Sequence, residues 1–281
     1  MASPPKSIAV LGAGVTGLVA AHRLTKLGHR VRIFERTERA GGAIRSEQTD
    51  GWLIEAGPNS LLSGEPALAR LLDEIGLSAQ VIQANPSARN RFVVRNGRLA
   101  PVPLSPPAFI ASGLFSTTGK LRMLFDLLSR PRVRPSDLPL SEFMRGHFGD
   151  EFVDYALNPL VAGVYAGNPS KLSTRYAFPK LWELEQRYGS LIRGQMAEGR
   201  LRKARGDPAP SVFSFRPGMQ TLTDALVKRL PAGCIAHTVS LEAITRSEEK
   251  WNVIWDQSGA THTQTFDGIV GALPAYALAQ L

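Results

Sequence analysis

The stretch Ile8-Ala9-Val10-Leu11-Gly12-Ala13-Gly14-Val15-Thr16-Gly17-Leu18 decides how the rest of the chain is read. An apolar run breaks into Gly-x-Gly-x-x-Gly, and apolar positions then recur at helical spacing, at Leu18, Ala21, Leu24 and Leu27, up to Gly28. The change of period predicts strand, tight turn and helix. Each glycine then has a physical role. Gly12 permits the turn, Gly14 lets backbone approach a pyrophosphate, and Gly17 lets the helix pack closely on the strand. The N–H groups and dipole at the helix start supply an anion site. Outward from this motif, the apolar run Val31-Arg32-Ile33-Phe34 ends in Glu35, the acidic residue expected about 20 residues on to hold a ribose hydroxyl pair. An empty strand-helix-strand unit with a solvated Glu35 is the bland alternative. The second strand and its acidic end favour a dinucleotide site.

Composition sets the bounds. The 281 residues are 43% hydrophobic and 20% charged, which suits an ordinary globular core divided into one to three domains. No apolar run is long enough to span a bilayer, and the first strand starts too early to leave room for a cleavable signal, so a cytoplasmic protein is expected. The single cysteine, Cys234, allows no internal disulfide framework. His22, His29, His147, His237 and His262 lack metal-ligand spacing, so no metal site is expected, and they read as surface or loop residues. The formal net charge is +9, and the excess is concentrated in residues 86–205, which hold 19 basic and 9 acidic side chains. That asymmetry points to an anionic partner: nucleic acid, an anionic membrane surface or an acidic substrate. Nucleic acid is disfavoured, because no aromatic stacking platform interleaves the basic residues.

After Glu35 the glycine pair Gly41-Gly42 lets main chain approach a ligand. Asp50 to Ser60 reads as another strand ending in a Gly-Pro loop, and three such apolar-to-glycine switches are expected to return to one edge of one sheet. Pro66 to Ile75 reads as a short helix stopped by Gly76. Asn96-Gly97 between Asn90–Val94 and Arg98–Pro103 signals a hairpin. Residues 104–200 are mostly helical in pattern. Leu121, Leu124, Phe125 and Leu128 mark one amphipathic helix, Ser141 is a candidate cap for the next, and Phe178 to Leu201 suggests a longer helix interrupted by glycines. From Ser211 a mixed sheet resumes, with a helix placing Leu222, Leu226 and Leu230 inward. Strands are expected at Ile235–Leu241, Trp251–Trp255 and His262–Phe266, and a last one at Phe266–Pro274 re-enters the first domain.

Three segments carry a resemblance: the Gly-x-Gly-x-x-Gly turn, the Glu-Arg-x-x-Arg-x-Gly-Gly run from Glu35 to Gly42, and Glu-x-Gly-Pro at Glu55 to Pro58. Together they resemble the flavin amine oxidase superfamily. The segment Gly163-Val164-Tyr165-Ala166-Gly167-Asn168, continuing to Leu172-Ser173, closely resembles the protoporphyrinogen and coproporphyrinogen III oxidases within it, with Asn168 where aspartate is frequent. The implied fold is α/β, a Rossmann-like FAD-binding domain with a mixed-sheet substrate domain and a helical membrane-facing insertion. The implied segments are 1–85 and 225–281 for the FAD domain, 86–104 and 204–224 for the substrate domain, and 105–203 for the insertion.

The resemblance implies FAD as cofactor. It places Gly12, Ala13, Gly14, Val15, Thr16, Gly17, Glu35, Arg36, Gly42, Ala43, Gly57, Pro58, Asn59 and Ser60 against it, with the main chain of Val239 at the adenine. It implies that Arg91 binds a propionate of the porphyrinogen, for which a planar guanidinium fork is apt, although the residues alone suggest an exposed edge-strand arginine. It also implies hydride transfer from a macrocycle methylene, molecular oxygen as acceptor, a place in haem biosynthesis, a homodimer, and peripheral contact with an anionic membrane on its cytoplasmic face. The apolar run Pro106–Phe115, followed by Lys120, Arg122, Arg130, Arg132 and Arg134, has the composition of such a surface. No catalytic acid or base is assigned, because the cofactor carries the hard chemistry. Family members continue well beyond the length seen here, which leaves a non-catalytic FAD-binding fragment as an alternative. An oxidase of amines or carotenoids and a nicotinamide-dependent dehydrogenase also stay open.

Overall fold

The computed structural model describes residues 4–85, 91–206 and 210–281. They form two compact units, Met1–Ala84 with Ala209–Leu281, and Asn85–Pro208. In the first unit β1 (Ser7–Leu11), α1 (Val15–Lys26) and β2 (Arg30–Phe34) follow as the change of period requires. Next, β3 (Ser46–Thr49) and β4 (Trp52–Glu55) pair antiparallel around Asp50-Gly51, whose φ angles of 50° and 79° suit a tight mirror-image turn. This corrects one expectation: β4 does not return to the sheet of β1 and β2, because Asp-Gly turns the chain straight back into a two-stranded ribbon. Then come β5 (Leu61–Leu62), α2 (Pro66–Ile75), which stops at the left-handed Gly76, and β6 (Val81–Gln83).

The second unit opens with the hairpin of β7 (Phe92–Arg95) and β8 (Arg98–Pro101), turned by Asn96 and Gly97 at φ 51° and 72°. Helices follow: α3 (Pro106–Ala111), α4 (Thr117–Leu124), α5 (Leu140–Phe148), α6 (Asp150–Phe152), α7 (Asn158–Tyr165), α8 (Thr174–Ala177), α9 (Pro179–Tyr188) and α10 (Leu191–Ala204). Leu140, Phe143, Leu157, Val161, Trp182 and Leu191 lie in its main core. Two details differ from the sequence reading. Leu121, Leu124, Phe125 and Leu128 are exposed, and Met123 and Asp126 are the buried residues, because the helix tightens into a 3₁₀ turn over Phe125–Leu128. Ser141 does not cap α5: the cap position is Pro139, and Ser141 is buried in the first turn with its N–H on the Pro169 carbonyl. The stretch from Phe178 to Leu201 is interrupted by a glycine as expected: it divides into α9 and α10 at Gly189, where a Cβ would lie 2.1 Å from the Arg130 carbonyl carbon, and Ser190 caps α10.

The chain then rejoins the first unit with β9 (Val212–Phe215), α11 (Gln220–Lys228), β10 (Ile235–Ala236), β11 (Ser240–Ser247), β12 (Lys250–Gln257), β13 (Ala260–Phe266), β14 (Gly268–Gly271) and α12 (Ala275–Leu278). The expected strand Ile235–Leu241 is two strands, since Thr238 at φ 55° turns the chain from the first sheet into the second. The first sheet is parallel, in the order β10-β2-β1-β14, and the second is the antiparallel meander β11-β12-β13. Alternating side chains explain how the parallel sheet is covered on both faces. Val10 and Ile33 pack with Leu18 and Ala21 of α1 and Leu222 and Leu226 of α11. Ala9, Leu11 and Phe34 pack with Val253, Trp255 and Phe266 of the meander. Phe34 meets Trp255 at 4.8 Å between ring centroids, and each such buried ring contributes roughly 2 kcal/mol. β9 lies between β5 and β6 in a third small sheet.

Glu55 shows how the ribbon serves the core. Its carboxylate accepts the Met219 N–H at 2.7 Å and the Ser46 hydroxyl at 2.7 Å, so it caps the start of α11 from 164 positions away. Among the described residues no helix is long and apolar enough to cross a membrane.

Candidate functional site

A cavity of about 870 Å³ opens at the carboxyl ends of β1, β2 and β14. The helix α1 carries the chain from β1 to β2 on one side and the chain returns through β14 on the other, which makes this a switch point of a parallel sheet, where such folds bind ligands. Its wall includes Gly12 and Gly14 after β1, Glu35 and Arg36 after β2, and Ala272 to Pro274 after β14.

The turn after β1 is shaped by close approaches. A Cβ on Gly17 would lie 1.9 Å from the Gly12 carbonyl oxygen, so only glycine lets α1 start where it does. Around Gly14 the space is open, and this residue caps α1 without a side chain or an acidic neighbour in the first turn. The helix therefore presents unsatisfied N–H groups and the positive end of its dipole to a ligand. Gly41 donates its N–H to the Ala13 carbonyl at 2.8 Å, and a Cβ on Gly42 would reach 3.0 Å from the Gly14 Cα. Arg39 holds this second loop by donating to the carbonyls of Ala40, Gly42 and Ile44.

Glu35 is buried in the cavity wall, and its carboxylate accepts three donors: the Ala13 N–H at 2.8 Å on Oε2, and the Thr37 N–H at 2.9 Å and Thr37 hydroxyl at 2.8 Å on Oε1. Val239 is both a core valine and a wall residue, and its N–H donates to the Glu35 carbonyl at 3.0 Å. Ala43 also lines the wall, and a Cβ on Gly57 would lie 1.9 Å from the Ala43 carbonyl oxygen, which seats the Gly-Pro loop beside it.

The structure thus brings Gly12, Gly14, Glu35, Arg36, Gly42, Ala43 and Val239 to one cavity, with Ala13, Val15, Thr16, Gly17 and Gly57 directly behind or beside it. Pro58, Asn59 and Ser60 follow in the loop and are not wall residues, and the Ser60 hydroxyl donates to Asn59 Oδ1. Arg91 belongs to the other unit, with an exposed side chain and a carbonyl that accepts the Val102 N–H; Asn90 beside it lies outside the described residues. Sequence reasoning missed Thr37, Glu242, Tyr276 and Gln280, which also line the cavity. Of these only Thr37, two residues from Glu35, carried a local signal.

The helical unit holds a second cluster, and it corrects the reading of the histidines, since His22 and His147 are both buried. His147 Nδ1 lies 2.6 Å from Asp126 and its Nε2 3.2 Å from Glu185, so both ring nitrogens face carboxylates. Arg134 donates in a fork to both oxygens of Glu185 at 2.7 Å. Burial disfavours the charged ring, but the two carboxylates outweigh it and raise the His147 pKa. Burial likewise opposes ionisation of Glu185, yet the bonds from His147 and Arg134 hold its pKa at about 2. Asp126 is also lowered: burial works against its charge, while His147, the Ile192 N–H and Ser190 favour it. These groups saturate one another, which makes the cluster a brace joining the Asp126 turn, α5 and α9.

The family model of flavin-containing amine oxidoreductases matches residues 15–281. The chain belongs to that family. Within the flavin-containing amine oxidoreductases it is 39% identical over 245 residues to mitochondrial protoporphyrinogen oxidase of Nicotiana tabacum, covering 81% of this chain and 48% of that one. It is 30% identical over 285 residues to coproporphyrinogen III oxidase of Staphylococcus aureus, covering 96% and 60%. Among solved structures, a provisionally named protoporphyrinogen oxidase of Exiguobacterium sp. 255-15 superposes with a TM-score of 0.75 at 27% identity, covering 100% of this chain and 62% of that one. The chain therefore spans about half to three-fifths of the length of these relatives. The family's flavin fits the residues present: an uncapped helix start, a glycine-lined cradle and a buried acceptor carboxylate face one cavity of dinucleotide-site size.

Proposed function

We propose that the protein carrying this chain is an FAD-dependent oxidase of a porphyrinogen, protoporphyrinogen IX or coproporphyrinogen III, acting in haem biosynthesis. The observation that carries the reading is the cavity at the ends of β1, β2 and β14, where the Gly14 cradle and the Glu35 carboxylate share one wall. The named activities of the tobacco and staphylococcal relatives supply the substrate class. When bound, the flavin supplies the two-electron oxidation, accepting hydride from a macrocycle methylene, with molecular oxygen as final acceptor. The chain's own residues bind and orient. The N–H groups of the first turn of α1 meet the pyrophosphate, Arg36 adds positive charge at the wall, and Glu35 accepts from the adenosine ribose. Val239 presents main chain to the adenine, and Arg91 offers a planar fork to a propionate.

The exposed apolar side chains of the helical unit support peripheral contact with anionic lipid on the cytoplasmic membrane face. Ile110, Leu121, Leu124, Phe125, Leu128 and Val133 are all uncovered, with Lys120, Arg130 and Arg132 among them in the sequence. Sedimentation with vesicles containing phosphatidylglycerol, lost in high salt and in Phe125→Ser with Leu128→Ser, is the expected result.

The activity test is the visible spectrum of the purified protein with FAD, followed by anaerobic addition of each porphyrinogen. Flavin bands that bleach, with porphyrin fluorescence appearing, are the expected outcome. Protein that takes up no flavin overturns the reading. Because the chain spans 48% to 62% of its relatives, a second reading is flavin binding that turns over substrate only with further polypeptide. Flavin bands without bleaching, restored by mixing with that polypeptide, support it.

A further inference from the structure

We propose that Thr37 is a positioning residue of the nucleotide site, setting the orientation of the Glu35 carboxylate that receives the adenosine ribose. The proposal rests on the reading of Glu35 as the ribose acceptor. Thr37 donates twice to the same oxygen: its N–H reaches Glu35 Oε1 at 2.9 Å and its hydroxyl reaches it at 2.8 Å. The hydroxyl also lies 2.8 Å from the Arg39 carbonyl, but it has a single proton, and a charged oxygen is the stronger acceptor. The backbone of Thr37 is itself anchored, because its carbonyl accepts the Thr238 N–H at 3.3 Å and lies 3.3 Å from His237 Nδ1. The hydroxyl therefore acts from a fixed point.

Counting acceptor directions shows what this does. A carboxylate offers about four lone-pair directions, two on each oxygen. Thr37 occupies both on Oε1, and the Ala13 N–H occupies one on Oε2 at 2.8 Å. One direction, on Oε2, is left for a ligand hydroxyl. Three donors on two oxygens also fix the carboxylate plane before any ligand arrives, which removes the cost of ordering it on binding. Deleting the Thr37 hydroxyl leaves the plane held by two N–H groups and frees a direction on Oε1 that faces Thr37, not the cavity ligand.

The test compares FAD with its analogue lacking both adenosine ribose hydroxyls, titrated into flavin-stripped protein and read by quenching of flavin fluorescence. Wild type is expected to prefer FAD, Thr37→Val to bind FAD about fivefold more weakly while binding the dideoxy analogue as wild type does, and Thr37→Ser to restore the preference. Equal weakening for both ligands in Thr37→Val means general disturbance of the turn and overturns the proposal. An unchanged preference in Thr37→Val overturns it too. Wild type that binds both ligands equally well removes the ribose reading itself, and the proposal with it, whereas wild type that binds neither removes the FAD reading.

Discussion

Replacing Arg134 with methionine should loosen the helical unit far more than the loss of one partly exposed cation implies. Arg134 supplies a two-pronged bond to Glu185, whose side chain is only 1% exposed. The carboxyl is held at about 2 against an ordinary 4.5 by His147 and Arg134 acting together against burial. At about 1.4 kcal/mol per unit, that displacement corresponds to on the order of 3 kcal/mol of native-state stability at neutral pH. That displacement is shared between His147 and Arg134, but removing Arg134 leaves the buried carboxylate half-partnered, which costs about 3 to 5 kcal/mol in comparable cases. For a unit of this size the melting transition should fall by roughly 10 °C. The effect has a sign in pH as well. A depressed carboxylate contributes above its ordinary value of 4.5 and ceases to contribute as pH falls towards 2, so wild type keeps the brace into acid and the variant loses it at higher pH. Calorimetry, with hydrogen exchange of the α9 and α10 amides, measures both. Methionine keeps the contact over the Phe143 ring, which the guanidinium now makes at 5.6 Å, so lost packing is not the cause being tested. Pairing Arg134→Met with Glu185→Leu should recover most of the loss. A single variant that melts within roughly 2 °C of wild type refutes the reasoning, since one kcal/mol is already resolvable on that scale.

Three further outcomes are expected. Gly17→Ala places a Cβ 1.9 Å from the Gly12 carbonyl oxygen, so it should cost about 2 kcal/mol or more and weaken FAD binding at least about tenfold, read by denaturant titration and flavin fluorescence. Glu55→Ala removes the acceptor of the Met219 N–H and should cost about 1 to 2 kcal/mol in urea unfolding with no change in the slope. His147, whose pKa is raised from 6.5, contributes fully below that value and ceases to contribute as pH rises through its folded value; stability of the helical unit should decline on the alkaline side, and His147→Gln should flatten that decline.

The site was legible where local chemistry decides the structure. Gly12, Gly14 and Gly17 fix a turn within one stretch, and Asn96-Gly97 closes a hairpin between its neighbours, so both could be read from adjacent residues. The Asp50-Gly51 turn carried the same kind of signal, and overlooking it sent β4 to the wrong sheet. Other features depend on partners distant in sequence. Asp126 is buried because His147 and Ser190 meet it from 21 and 64 positions away, and this turns Leu121, Leu124, Phe125 and Leu128 outward although their spacing reads as a core stripe. Periodicity identifies an apolar face but not which face finds a partner. The Asn168 exchange is explained locally: its Oδ1 accepts the Ser170 N–H at 2.9 Å and hydroxyl at 2.7 Å, which an amide oxygen does as well as a carboxylate oxygen.

The pairing of β1 with β14 has a consequence for the order in which the protein comes into being. Ser7 and Asp267 are hydrogen-bonded across 260 positions, so the parallel sheet cannot be completed until nearly all of this sequence has left the ribosome. The contacts of the helical unit, by contrast, join residues within Asn85–Pro208 and are available much earlier in synthesis. At about 5 to 20 residues per second, the exposed edge of β1 waits roughly 13 to 50 seconds for its partner. During that interval Ala9 and Leu11 lack the meander that later covers them, which makes the early nascent chain a natural client for a holding chaperone.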